Sequence, residues 1–99
     1  MSPARYRKKP VVIEAMQVPA ADDLPAWGEL AGWLMVDMAK FQLTGPNDGV
    51  GVDGLVIRTL EGDMTAAIGD WVIKGVAGEH YPCRNDIFLA TYEPAGGAS

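Results

Sequence analysis

The chain has 99 residues, of which 48% are hydrophobic and 21% charged, and its net charge is −5. This composition excludes a disordered chain and indicates one globular domain over residues 1–99. Four of the eight basic residues lie in the first nine positions, so the rest of the chain has a net charge of −9; because nucleic-acid affinity needs a basic surface, we do not expect a nucleic-acid partner.

The basic arm, residues 1–9, is followed by a β-branched run at residues 11–18 that predicts a strand. Alternation places Val11, Ile13 and Ala15 on one face of this strand. The apolar stretch at its start is too short for the core of a secretory signal. No run approaches the 18 or so apolar residues that a membrane-spanning helix needs, so we expect neither secretion nor a membrane partner.

An amphipathic helix is predicted over residues 24–36. Asp22 and Asp23 can cap it, and Pro25 suits its first turn. Apolar residues recur at intervals of three and four: Leu24, Trp27, Leu30, Ala31, Leu34 and Met35. A short strand at residues 41–44 and a glycine-rich loop at residues 45–54 follow. The loop matches neither a phosphate-binding nor a calcium-binding pattern, which favours a simple connection.

From residue 55 onward the pattern is a meander of short strands. It predicts strands at residues 55–60, 64–68, 71–76 and 79–81, a helical turn at residues 85–90 capped by Asn85, and an edge strand at residues 91–93. Residues 94–99 are expected to be a disordered tail. The predicted fold class is α+β: a curved, mainly antiparallel sheet or small open barrel with one helix packed on it.

His80 and Cys83 are the only histidine and the only cysteine. Side chains three residues apart on a strand lie on opposite faces, so we expect neither a nucleophilic dyad nor a metal site from this pair. One cysteine cannot form an internal disulfide, which is typical of a reducing cytoplasm. Four acidic residues near turns are interpreted as turn residues, and no catalytic residue or cofactor is predicted: Asp63, Asp70, Glu79 and Asp86.

Several segments resemble a family of small uncharacterised bacteriophage and prophage proteins. They are YRKKPVVIEA from Tyr6, TLEGDM from Thr59, GDWVIKGV from Gly69 and TYE from Thr91, with GE, YPC and DIF between the last two. The resemblance covers residues 5–17 and 57–93, and leaves residues 19–54 outside. The Gly69-Asp70-Trp71 turn is also similar to the PGDYG domain family, although Ile68 and Trp71 replace its Pro and Tyr. The resemblance implies a phage origin and a location in the host cytoplasm.

We therefore expect a non-catalytic phage accessory protein that acts by binding to a host protein. We also expect the protein to form a homodimer. One alternative is a binder of small molecules or nucleotides, acting as a sponge against host defence, with a pocket lined by Trp71, His80, Tyr81 and Arg84. A second alternative is an enzyme that joins carboxylates and His80 across a subunit interface.

Overall fold

Six strands and two helices make up the fold in the computed structural model, which describes residues 2–7, 9–45 and 51–95. In chain order they are β1 (Glu14–Gln17), α1 (Leu24–Val36), β2 (Phe41–Thr44), β3 (Gly54–Thr59), β4 (Gly62–Ala67), β5 (Trp71–Lys74), β6 (His80–Cys83) and α2 (Asn85–Thr91). The strands form two antiparallel three-stranded sheets, in the orders β1-β5-β6 and β2-β3-β4. The predicted α+β class with curved antiparallel sheets is confirmed, and the sheets do not close into a barrel.

Helix α1 has the predicted bounds and the predicted cap. The Asp23 carboxylate accepts a hydrogen bond from the Ala26 N–H at 3.3 Å, which satisfies one of the free donors of the first turn. Trp27, Leu30 and Leu34 are buried at spacings of three and four and supply the helix side of the core. The predicted apolar stripe was too wide, because its two outer members, Leu24 and Met35, are exposed.

The core lies between α1 and the two sheets. Its sheet side is formed by Val18, Leu55, Ile57, Ala66 and Val72. The predicted single meander is divided between β4 and β5: the Asp70 carboxylate accepts from the Ala67 N–H at 3.0 Å in the turn that joins them. This turn sends the chain from one sheet to the other, so the β3–β4 hairpin lies in one sheet and the β5–β6 hairpin in the other.

Strand β1 covers only the middle of the predicted strand at residues 11–18. Its partner β5 ends at Lys74, which pairs with Glu14, and the chain then turns through a hairpin loop. Residues 11–13 therefore extend past the end of the sheet, and Val11 and Val12 are exposed. The length of a strand depends on its neighbour as well as on its own residues.

The end of the chain differs from the prediction in one element. Residues 85–91 form helix α2, and Thr91 belongs to this helix, so the predicted edge strand at residues 91–93 is wrong. The N-cap is Arg84 and not Asn85. The helix is preferred because it places Phe88 on the Trp71 ring, with ring centroids 4.0 Å apart. The predicted loop at residues 45–54 and tail at residues 94–99 lie partly outside the described residues.

Candidate functional site

Three connections meet at one end of the molecule, which we call the loop end. They are the α1–β2 connection at residues 37–40, the β3–β4 turn at residues 60–61 and the β5–β6 hairpin loop at residues 75–79. An open cavity of about 400 Å³ takes lining residues from all three connections. Chain segments that are far apart in sequence thus build one concave surface.

His80 lies at the floor of this surface, as the first residue of β6. Its side chain is 4% exposed, and its Nε2 lies 3.0 Å from Oδ2 of Asp37. The indole of Trp33 meets the imidazole edge to face, with ring centroids 5.2 Å apart. Two contacts from the end of α1 therefore fix the orientation of the ring.

Asp37 is the C-cap residue of α1, where the helix dipole disfavours a negative charge. Two cation-forming side chains offset this effect: Lys74 Nζ lies 3.2 Å from Oδ1, and His80 holds Oδ2. Burial alone raises the pKa of Asp37, but the hydrogen bonds from Lys74 and His80 lower the pKa by more, so the net shift is downward. The carboxylate is ionised at neutral pH and accepts from both neighbours.

The turn after α1 sets the position of this carboxylate. Met38 has a left-handed φ of 59°, its N–H donates to the Met35 carbonyl, and the Ala39 N–H donates to the Leu34 carbonyl. This pair of bonds is a Schellman motif, in which glycine usually takes the left-handed position. Methionine is less stable than glycine in this backbone conformation, and the Met38 side chain is 86% exposed to solvent.

A second open cavity of about 300 Å³ lies on the other side of His80. The two cavities share Thr59, Leu60, Glu79 and His80, so together they form one groove, which we call the His80 groove. Lys40 and Glu61 add opposite charges to its border. The groove is open and mixed in charge, with a buried ion-paired floor.

Exposed apolar side chains stand at the tips of the three connections. Leu60 is 97% exposed, Met38 86% and Val76 76%. Single exposed apolar residues are ordinary, but three at one end of the molecule form a set that burial would stabilise. Fully burying one such side chain is worth roughly 1.5–3 kcal/mol.

The chemistry within reach of the groove is limited in the part of the chain that the structure describes. The Thr59 hydroxyl donates to the Gly62 carbonyl at 2.7 Å and so stabilises the β3–β4 turn. Across residues 2–7, 9–45 and 51–95, no three His, Cys, Asp or Glu side chains are grouped so that they could hold a metal ion.

The four residues predicted to line one pocket do not come together. His80 and Tyr81 line the same cavity. Trp71 lies on the opposite face of its sheet, where its Nε1 donates to the Asn85 side chain at 2.9 Å. Arg84 is exposed and pairs with Asp86 at 2.8 Å.

Tyr81 and Cys83 share the sheet face opposite His80, because side chains alternate along β6. Burial and the hydrogen bond with Tyr92 raise the pKa of Tyr81 to about 12. Burial, followed by the nearby Asp70 and Asp86 carboxylates, raises the pKa of the Cys83 thiol. The predicted separation of His80 and Cys83 is confirmed, and the thiol stays protonated.

The acidic turn residues occupy separate positions. Asp63 pairs with Arg58 at 3.4 Å, Asp86 pairs with Arg84, and Asp70 accepts from the backbone of its turn. The prediction missed Asp37, the acidic residue that matters at the site. The sequence did contain a signal for Asp37, because it is an acidic residue directly after a predicted helix, where a cation is preferred.

Comparisons with protein-family models, curated proteins and solved structures gave no match to this chain. The resemblance to phage proteins therefore stays a prediction. Among the described residues, neither helix has the length and apolar character required to cross a bilayer.

Proposed function

We propose that this protein is a non-catalytic phage accessory protein that works in the host cytoplasm by binding a host protein at the loop end. The observation that carries the proposal is the set of three strongly exposed apolar side chains at the loop end: Met38 and Leu60 line the His80 groove, and Val76 lies in the β5–β6 hairpin loop. Surfaces that dock a protein partner are enriched in methionine and other apolar side chains, and the loop end exposes three of them.

The floor of the groove supports this role because it is already rigid. The hydrogen bonds of His80 and Lys74 to Asp37 hold three elements together: β6, β5 and the end of α1. A surface that is ordered before binding loses less conformational entropy when the partner arrives. Methionine at the border adds a side chain that adapts to the shape of a partner.

A protein partner is favoured over a small ligand by where the apolar area lies. Small-ligand sites surround most of the ligand with apolar walls. Here the apolar side chains stand at the tips around an open groove, so only a larger surface touches all three. We expect an apolar side chain of the partner to enter the groove while its flanking surface covers the tips.

The test begins with identification of the partner by affinity purification and mass spectrometry, and the binding is then repeated with both proteins purified. Leu60→Lys and Val76→Lys should each weaken binding by about tenfold or more, because each places a charge in the apolar contact. Val12→Lys is the matched control, since Val12 is exposed to a similar degree, 79%, but lies outside the loop end.

Three results would contradict the proposal. The first is that no captured protein binds the purified chain. The second is a bound protein whose affinity is unchanged by Leu60→Lys and Val76→Lys. The third is a small ligand that raises the melting temperature of the wild type but not of Leu60→Lys, which would assign the groove to a small molecule instead.

A further inference from the structure

Among the described residues, no strand pairs with the outer edge of β1. β1 is at one edge of the β1-β5-β6 sheet. The Val18 N–H donates to the Asp70 carbonyl and the Val18 carbonyl accepts from Gly69, so Val18 faces β5. Because these directions alternate along a strand, the N–H and C=O groups of Ala15 and Gln17 face away from the sheet. An open edge of this kind is a template for another strand.

The chain before β1 adds to this edge. Residues 11–13 are β-branched and apolar, and they continue the line of β1 past the end of β5. Val12 is 79% exposed and Val11 45%. We call residues 11–13 the overhang. Within the described residues no strand pairs with it, although its sequence strongly favours a strand.

We propose that the occupant of this edge is a second copy of the chain, paired antiparallel through β1 about a two-fold axis. In an antiparallel pair the overhang of one copy lies beside the β1 residues of the other, and both overhangs gain a partner at once. The four-residue strand of the single chain then becomes a longer one in the dimer. A two-fold interface of this kind closes and leaves no further open edge at β1.

Charge selects the second copy over another strand. Arg5, Arg7 and Lys9 precede the overhang and form no ion pair within residues 2–7, 9–45 and 51–95. In the antiparallel arrangement this basic arm runs toward the segment that follows β1 in the other copy. That segment carries Asp22 and Asp23, both exposed. The arrangement therefore sets cations beside anions twice, once on each side of the two-fold axis.

The position of the arm agrees with this assignment. The radius of gyration is 15.5 Å and the longest extent is 59 Å, whereas a compact domain of about 100 residues has a radius of gyration near 13 Å. Residues 2–7 and 9–12 are all exposed. These residues are therefore accessible to a second copy.

The experiment measures molar mass by sedimentation equilibrium over a range of concentrations. The wild type should reach twice the chain mass of 10.6 kDa. Val12→Lys should raise the dimer dissociation constant about tenfold or more, because the lysine replaces an apolar contact in both copies. Val76→Lys, the same change at an exposed valine of the loop end, should leave the dimer unchanged. Far-UV circular dichroism checks that both variants are folded.

Two further readouts test the contacts separately. The amides of Ala15 and Gln17 should exchange more slowly with solvent as the concentration rises, while the Met16 amide, which faces β5, should not change. Arg5→Gln with Arg7→Gln should weaken the dimer and reduce its sensitivity to salt. A dimer that this double variant leaves unchanged would overturn the pairing of the arm with Asp22 and Asp23.

A wild type that stays at 10.6 kDa at every concentration overturns the inference. So does a dimer that Val12→Lys and Val76→Lys affect equally, or one in which the Ala15 and Gln17 amides exchange as fast as in the monomer. These outcomes are separate from those of the proposed function, because loss of the dimer through Val12→Lys leaves the loop end intact.

Discussion

The two faces of the β1-β5-β6 sheet are stabilised by different kinds of contact. The face toward α1 carries Lys74, which forms an ion pair with Asp37 at 3.2 Å, and His80, which forms a hydrogen bond with the same carboxylate at 3.0 Å. The other face carries Trp71, stacked on Phe88 with an interplanar angle of 9°. Ion pairs depend on a few distances and on charge, whereas ring stacking depends mainly on buried area. The contacts on the first face therefore fix the position of the end of α1. The stacked rings on the second face hold α2 against the sheet.

The largest expected effect is on the aromatic face. Phe88→Ala should lower the free energy of unfolding by about 3 kcal/mol, because it removes the ring that stacks on Trp71 and holds α2 to the sheet. Chemical denaturation followed by circular dichroism measures this change. Ile87→Ala is the control on the same helix: Ile87 is 50% exposed, and its loss should cost under about 1 kcal/mol. Equal losses in the two variants would contradict the fastening role of the stacked rings.

On the ionic face, His80→Gln should lower the free energy of unfolding by about 2 kcal/mol, because it disturbs a buried hydrogen bond to a charged group. Adding Asp37→Asn tests whether the two residues act together. In a double-mutant cycle the combined loss should be smaller than the sum of the separate losses. Additive losses would mean that the His80–Asp37 contact contributes nothing of its own.

The turn that positions Asp37 offers a stabilising change. Met38→Gly should raise the free energy of unfolding by about 1 kcal/mol, since glycine adopts the left-handed backbone of residue 38 without strain. Thermal melting gives the sign directly. Met38→Ala keeps the strain and removes the exposed side chain, so it should show no such gain. If Met38→Gly is stable but loses the host protein, the methionine serves binding at the expense of stability.

The smallest effects should appear as pH dependence at opposite ends of the scale. The pKa of Asp37 is lowered in the folded state, so its contribution to stability is present above the ordinary value of 3.8 and is lost as the pH falls through the folded pKa. The pKa of Tyr81 is raised from 10.0 to about 12, so its contribution is present below pH 10.0 and is lost as the pH rises through about 12. Melting temperatures measured across pH check both predictions. Asp37→Asn should lack the loss of stability at acid pH, and Tyr81→Phe should lack the loss at alkaline pH.

The reverse pattern would break the comparison between the faces. If Asp37→Asn removed the alkaline loss, or if Tyr81→Phe removed the acid loss, the charges that matter would lie elsewhere.

Local patterns predicted much of the fold because they depend on neighbours in sequence. The capping residue Asp23 and the spacing of Trp27, Leu30 and Leu34 define α1 at its observed bounds. Alternation along β6 separates His80 from Cys83. The glycine and aspartate at residues 69–70 mark the turn between β4 and β5. Each of these features is decided within a few residues.

The candidate site could be predicted only in part. His80 was singled out as the only histidine and Tyr81 as a nearby aromatic residue, and both line the groove. Trp71 and Arg84 were placed with them wrongly in space, because closeness in sequence says little about which sheet face a side chain occupies. Asp37 was missed because its role depends on Lys74 and His80, which are 37 and 43 residues away.

The sequence by itself determined where the chain can be helical, where it must turn, and that an acidic body carries a basic arm, because propensity, capping and charge act over a few residues. Only the tertiary structure decided that β4 and β5 belong to different sheets, that the strand predicted from residue 11 begins at Glu14, and that the end of α1 meets β6. The physical reason is that strand pairing and ion pairing join distant segments, and the choice among possible partners is made by the packing of the whole core.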